Sequence, residues 1–114
     1  REDASRADFV IGDRYGTSCA EVITEALERE LTALGYRVVR NKPYAGGYIT
    51  EHYGNPTSGL HAVQIEINRG LYMEEAAYAR GAGFERVRSD LATLVPRLFS
   101  AAAEALSAPR AAAE

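Results

Sequence analysis

Between Leu60 and Met73 the chain reads Leu-His-Ala-Val-Gln-Ile-Glu-Ile-Asn-Arg-Gly-Leu-Tyr-Met. From His61 to Asn68 apolar and polar positions alternate. That predicts a β-strand, because successive strand side chains point to opposite faces. Val63, Ile65 and Ile67 fall on one face, and Gln64, Glu66 and Asn68 on the other. An ordinary half-buried strand alternates in the same way, with its polar side in water. A water-facing row usually carries Lys, Thr or Arg, whereas this one carries an amide, a carboxylate and an amide, with Arg69 just beyond. Such a row suits the floor of a pocket, where a carboxylate acts as a base and amides orient a substrate.

Upstream, Phe9-Val10-Ile11-Gly12 is a short apolar run that predicts a buried strand, followed by the polar loop Asp13-Arg14-Tyr15-Gly16-Thr17 as a candidate pocket edge. Ser18 to Leu34 predicts a helix. Ser18 and Glu21 have capping-box spacing, Val22, Ile23, Ala26, Leu27, Leu31 and Leu34 form one apolar face, Glu25 and Arg29 make an i,i+4 pair, and Gly35 supplies the stop. Tyr36 to Arg40 predicts a second strand. Strand, helix, strand in succession is a βαβ unit with a parallel pair, and ligands in such sheets lie beyond the carboxyl ends of the strands, here Gly12-Asp13-Arg14 and Asn41-Lys42-Pro43-Tyr44.

The stretch Asn41 to Gly59 is rich in Gly and Pro. Gly46-Gly47 could bring backbone amides close to a ligand, although no GKS/T motif accompanies it. Tyr48 to His52 reads as a short strand, and Asn55 to Gly59 as a turn into the central strand. Tyr72 to Gly83 reads as loop or short helix. Phe84, Val87, Leu91, Leu94, Val95, Leu98, Ala102 and Leu106 recur at helical spacing, with Pro96 expected to kink or divide the helix. Residues 107–114 read as a frayed Ala-rich tail. The expected class is therefore α/β, with a mixed, partly parallel sheet flanked by helices in a single domain over 1–114.

Composition adds exclusions. The chain has 114 residues, 46% hydrophobic and 25% charged, with a net charge of −3. It shows no basic stripe with interleaved aromatics for nucleic acid and no apolar run long enough to span a membrane. Cys19 is the only cysteine, so a disulfide framework is excluded and a cytoplasmic setting fits best. Cys19 reads as a small residue packed in a first helical turn, rather than as an activated nucleophile. A catalytic zinc takes three protein ligands and an open position. His52, His61, Cys19 and scattered carboxylates show no HxxH, HExxH or CxxC spacing, and His61 has the parity of Val63, away from Glu66. No metal ligand is assigned within the chain. The sequence opens without Met on a charged stretch, which reads as a cut inside a longer protein.

Three blocks carry a resemblance: Asp8 to Cys19 (Asp-Phe-Val-Ile-Gly-Asp-Arg-Tyr-Gly-Thr-Ser-Cys), Asn41 to Gly54 (Asn-Lys-Pro-Tyr-Ala-Gly-Gly-Tyr-Ile-Thr-Glu-His-Tyr-Gly) and His61 to Met73. In this order they resemble the C-terminal half of the N-formylglutamate amidohydrolase family, over most of residues 8 to 75. The C-terminal helix carries no motif.

The resemblance implies part of a zinc carboxypeptidase-like (phosphorylase/hydrolase-like) fold and the hydrolysis of N-formyl-L-glutamate to formate and L-glutamate in histidine degradation. The family's zinc ligands, in a His-Ser-Gly type segment and an Asp-x-His-Ser type segment, are expected upstream, so the cofactor belongs to the intact enzyme and this chain to the substrate side. Glu66 matches the Gln-x-Glu strand, as general base for zinc-bound water. Arg69 and Arg14 match as grips for substrate carboxylates. Asn41, Tyr44, Gly46, Gly47, Thr50 and His52 match the loop block that shapes the pocket, and Gln64 of the Gln-x-Glu strand is expected to bind substrate with them. Glu51 departs from the family pattern, in which a basic or neutral residue is frequent. It motivates an alternative: hydrolysis of another N-acyl amino acid. A further alternative is a non-catalytic half-domain that self-associates or docks on a complementary half. The partner expected is a small N-acyl amino acid, with neither nucleic acid nor membrane.

Overall fold

The computed structural model describes residues 6–107. Strand β1 (Phe9–Gly12) is buried along its whole length and sits at the centre of a three-stranded sheet. Its continuous apolar run suits a strand flanked on both edges by β2 and β3. Strand β2 (Val38–Arg40) pairs with it in parallel, aligning Phe9 with Val38 and Ile11 with Arg40. Strand β3 (Gln64–Ile67) pairs antiparallel on the other edge, aligning Phe9 with Ile67, Val10 with Glu66, Ile11 with Ile65 and Gly12 with Gln64. The expected mixed, partly parallel sheet is therefore present.

Helix α1 (Glu21–Ala33) joins β1 to β2, and helix α3 (Phe84–Ser107) closes the described chain. Both helices contribute to one core, in which Phe9, Ile11, Leu27, Leu31, Tyr36 and Leu94 are buried and Val63, Ile65, Ile67, Leu91 and Leu98 pack around them. Phe9 and Tyr36 meet edge to face, their ring centroids 4.8 Å apart. The Tyr36 hydroxyl donates to the Asp90 carboxylate on α3. Burial, reinforced by that hydrogen bond, pushes the Tyr36 phenol up to about 12. Arg40 ties β2 to α1, its Nη1 2.9 Å from Glu21 and its Nε 2.8 Å from Glu28.

Several local expectations are corrected. Ser18 does not cap α1: it is buried and its hydroxyl donates to the Ala62 carbonyl at 2.8 Å. The helix starts at Glu21 behind Ala20, whose N–H donates to Nδ1 of His61 at 3.1 Å. Val22, expected on the apolar face, is exposed, and Glu25 and Arg29 form no ion pair among the described residues. Tyr48 to His52 lies in a short helix, α2 (Tyr48–Tyr53). The segment from Tyr72 to Gly83, expected as loop or short helix, holds a short 3-10 helix (Glu75–Ala77) but sets it at the turn of a small hairpin, β4 (Met73–Glu74) with β5 (Ala79–Arg80). Pro96 does not divide α3. It sits on an exposed face with Ala92, where water is available to a carbonyl that has no N–H donor from Pro96. The expected frayed tail lies outside the described residues from 108 onward. No described helix is long and apolar enough to cross a membrane.

Truncating Leu94 to Ala removes a side chain that is 1% exposed. It should cost about 2–5 kcal/mol in urea or thermal unfolding. Phe99→Ala on the same helix, at a site 70% exposed, should stay within about 0.5 kcal/mol.

Candidate functional site

The helices pack on the face of the sheet that carries Phe9, Ile11, Ile65 and Ile67. The register leaves Val10, Gly12, Gln64 and Glu66 on the other face, as the alternation of the sequence requires. A broad open groove of about 860 Å³ runs over this second face, with Val10, Val39 and Glu66 on its floor and Lys42, Tyr44, Asn68 and Arg69 at its rim. Gln64 donates from Nε2 to Oε2 of Glu66 at 2.9 Å. The amide thereby fixes the carboxylate on the exposed face of the strand, and the other carboxylate oxygen has no hydrogen-bond partner among the described residues.

Gly12 lets the glycine loop cross the end of β1. A Cβ there would come within 2.7 Å of the Ala45 carbonyl carbon and 2.9 Å of the Gly46 nitrogen. Gly46 has φ +142, and a Cβ on it would run into the Thr50 hydroxyl and the stem of Arg14. Gly47 lies beside the Gln64 side chain, whose Oε1 would be 3.3 Å from an added Cβ. Its N–H donates to Oγ1 of Thr50 at 2.9 Å, and the Thr50 hydroxyl donates back to the Gly47 carbonyl. The expected ligand-facing amide of Gly47 is thus taken up by the start of α2.

The residues singled out from the sequence fall into three groups. Arg14, Gly46, Gly47, Thr50 and Gln64 gather where the glycine loop crosses the strand ends, and Gln64 links them to Glu66. Tyr44 and Arg69 stand at the groove rim, both exposed, with Arg69 Nη2 a loose 3.9 Å from Glu75. His52 is held by its own helix, its ring stacked on Tyr48 with centroids 3.6 Å apart and its Nδ1 donating to the Tyr48 carbonyl. Asn41 is 8% exposed, and its side chain serves the protein's own backbone and Asp13. Glu51 is exposed on α2 and does not line the groove.

Asp13, placed by the sequence in a candidate pocket-edge loop, is given no role of its own there. It is 1% exposed. Its Oδ1 accepts from Asn41 Nδ2 at 2.9 Å and from the Gly16 N–H at 3.0 Å. Burial pushes the Asp13 carboxyl up, but the hydrogen bonds from Asn41, Gly16 and Thr24, helped by the nearby Arg40 charge, hold it below its ordinary 3.8. The available signal was a charged residue directly after a continuous apolar strand.

No group of three or more His, Cys, Asp or Glu side chains is gathered among the described residues. Each histidine is bonded through Nδ1, His61 to the N–H of Ala20 across the fold and His52 to the Tyr48 carbonyl of its own helix. Cys19 is fully buried, and burial pushes its thiol up, opposite to an activated thiolate. The described residues do not fit a catalytic zinc by themselves.

The model of the N-formylglutamate amidohydrolase family matches residues 1–73. The N-formylglutamate deformylase of Pseudomonas putida is 43% identical over 74 residues, covering 64% of this chain and 28% of that protein. Its namesake from Pseudomonas aeruginosa is 41% identical over 76 residues, covering 66% of this chain and 29% of its own length. The crystal structure of N-formylglutamate amidohydrolase from Ralstonia eutropha JMP134 superposes with a TM-score of 0.79 at 43% identity, over 84% of this chain and 35% of that one. The chain thus spans under a third of the length of these curated relatives.

The lowered carboxyl of Asp13 sets a pH dependence. Its ionised form binds fewer protons in the folded than in the unfolded state just below the ordinary 3.8, so the stability it adds is complete above that value and lost as pH falls through the folded value. Asp13→Asn keeps the shape and removes the charge. It should cost about 1–2 kcal/mol at pH 6, the difference between neutral and charge-assisted hydrogen bonds. In unfolding curves taken from pH 6 to pH 2, the gap between wild type and variant should close below about pH 4.

Proposed function

The chain belongs to the N-formylglutamate amidohydrolase family, and on that premise we propose that it supplies the substrate-facing part of a hydrolase that splits N-formyl-L-glutamate into formate and L-glutamate. The observation that carries this reading is the Gln64–Glu66 hydrogen bond on the uncovered sheet face, beside the glycine loop and the stem of Arg14. In this reading Glu66 is the general base. Its unpartnered oxygen takes a proton from the water that attacks the formyl carbon. The proton then passes to the nitrogen as the C–N bond breaks, leaving formate and the free amine. Gln64 holds the carboxylate in place, and Arg14 and Arg69 grip the substrate carboxylates, which guanidinium pairs with in bidentate fashion.

The resemblance implies zinc, and the described residues offer no ligand set for it. In this reading a zinc ion is held by residues outside this chain, and the sheet forms one portion of a larger carboxypeptidase-like fold. The share of relatives covered, 28–29%, supports that division. The buried, unpaired Cys19 agrees with a reducing, cytoplasmic setting.

One observation favours a second reading, a non-catalytic half-domain that docks on another surface or on its own copy. Tyr48, Ile49 and Tyr53 on α2 are 66%, 67% and 62% exposed, an unusual concentration of apolar surface.

Titration of the chain with N-formyl-L-glutamate, followed by amide and side-chain NMR, distinguishes the two. The hydrolase reading expects saturable shifts at Gln64, Glu66 and Arg14, stronger than with other N-acyl amino acids. No shifts together with concentration-dependent association would favour the docking reading. A clear preference for a different N-acyl amino acid would move the substrate and keep the site. In the catalytically complete protein, Glu66→Gln should lower kcat by about 10²–10⁴ with KM little changed. Near-normal turnover would remove the base role.

A further inference from the structure

We propose that Asp13 and Asn41 form a positioning pair that aims Arg14 at the substrate carboxylate; this rests on the function proposed above. The pair joins the carboxyl ends of two parallel strands, 28 residues apart in sequence. Asn41 Oδ1 accepts the N–H of Asp13 at 3.1 Å and that of Tyr15 at 3.3 Å, the two neighbours of Arg14. The N–H of Arg14 itself donates to the Ala45 carbonyl at 2.8 Å, and that of Gly16 to Oδ1 of Asp13 at 3.0 Å. Four consecutive backbone donors, from residue 13 to residue 16, are therefore pinned, three of them by this one pair of side chains.

The pinned loop holds a conformation it would not adopt unaided. Arg14 and Tyr15 have φ of +52 and +56, and Asn41 has +62, the left-handed region that side chains with a Cβ avoid. Such conformations persist where the surroundings over-determine them, and they concentrate at functional positions. The consequence is the direction of one side chain. The Arg14 stem leaves the loop against Gly46, and among the described residues its guanidinium has no ion-pair partner. Asp13 and Asn41 are buried, and Oδ1 of each is taken up by two donors of the protein itself. They act through Arg14.

A double-mutant cycle on the full chain, read as N-formyl-L-glutamate affinity by calorimetry or NMR, tests this. Asn41→Asp keeps the acceptor for both N–H groups and sets a second carboxylate against Asp13. It should weaken binding about tenfold, as expected for directly coupled neighbours. Adding Asp13→Asn restores an amide opposite a carboxylate and should regain most of the loss. On an Arg14→Ala background, Asn41→Asp should cost nothing further. If the fold does not survive Asn41→Asp, the isosteric Asp13→Asn takes its place in the cycle, with a smaller loss that Arg14→Ala likewise absorbs. Losses that simply add, or unchanged affinity in a folded variant, would reduce the pair to a structural role and overturn the proposal. No binding by the wild-type chain would remove the functional reading, and the proposal with it.

Discussion

The register of β3 on β1 is the constraint on which the rest depends. Ile65 and Ile67 lie opposite Ile11 and Phe9, and Gln64 and Glu66 lie opposite Gly12 and Val10. A one-residue slip would carry every side chain of β3 to the other face. The two isoleucines would leave the core, and Glu66 would enter it without a partner. Burial of the apolar set therefore locks the polar set outward, and packing energy becomes site geometry. The same register places Gly12 beside Gln64, and the missing Cβ of Gly12 is what lets the Ala45–Gly46 backbone cross there.

Elements with a strong period were legible. The apolar run of β1, the helical spacing of α1 and α3 and the alternation of β3 report one physical quantity, the face turned to the core, and that face does not depend on detail elsewhere. Local chemistry was less secure. Ser18 and Glu21 have capping-box spacing, yet Ser18 reaches the Ala62 carbonyl across the fold and the N–H of Ala20 goes to His61. A tertiary partner of equal quality displaced the local one. Tyr48 to His52 was too short for a period to decide, and Thr50, bonded to both backbone groups of Gly47, starts a helix there.

The candidate site divides along the same line. Gln64 and Glu66 could be read from alternation alone. The roles of Arg14, Asn41, Gly46, Gly47, Thr50 and His52 entered through resemblance to a family, and their geometry needed the fold. The place of Asp13 at a strand end could be read, but its pairing could not, because that arises where two parallel strand ends meet and brings Asn41 within 2.9 Å. Sequence separation hides that contact, and no local pattern encodes it.

Burial sorts the matched residues by what they can still do. Asp13, Ser18, Thr24, Asn41 and Thr50 are buried polar groups, and no buried side-chain nitrogen or oxygen among the described residues lacks a partner. Burial makes that satisfaction compulsory, because an unpaired polar group in the interior costs its full desolvation. A group engaged in this way is held in place by the protein itself. The two histidines, though less buried, are each held through Nδ1, by Ala20 and by Tyr48. Capacity remains where the protein has not consumed it, as at the second oxygen of Glu66, the guanidinium of Arg14 and the loosely paired Arg69. A match to a family block does not separate these two kinds of residue, since a scaffold position and a reacting position can be equally specific in sequence. Their hydrogen bonds do separate them: Asn41 and Thr50 hold the loops, whereas Glu66 lines the groove with one oxygen unbonded among the described residues and Arg14, against Gly46, enters none of their ion pairs.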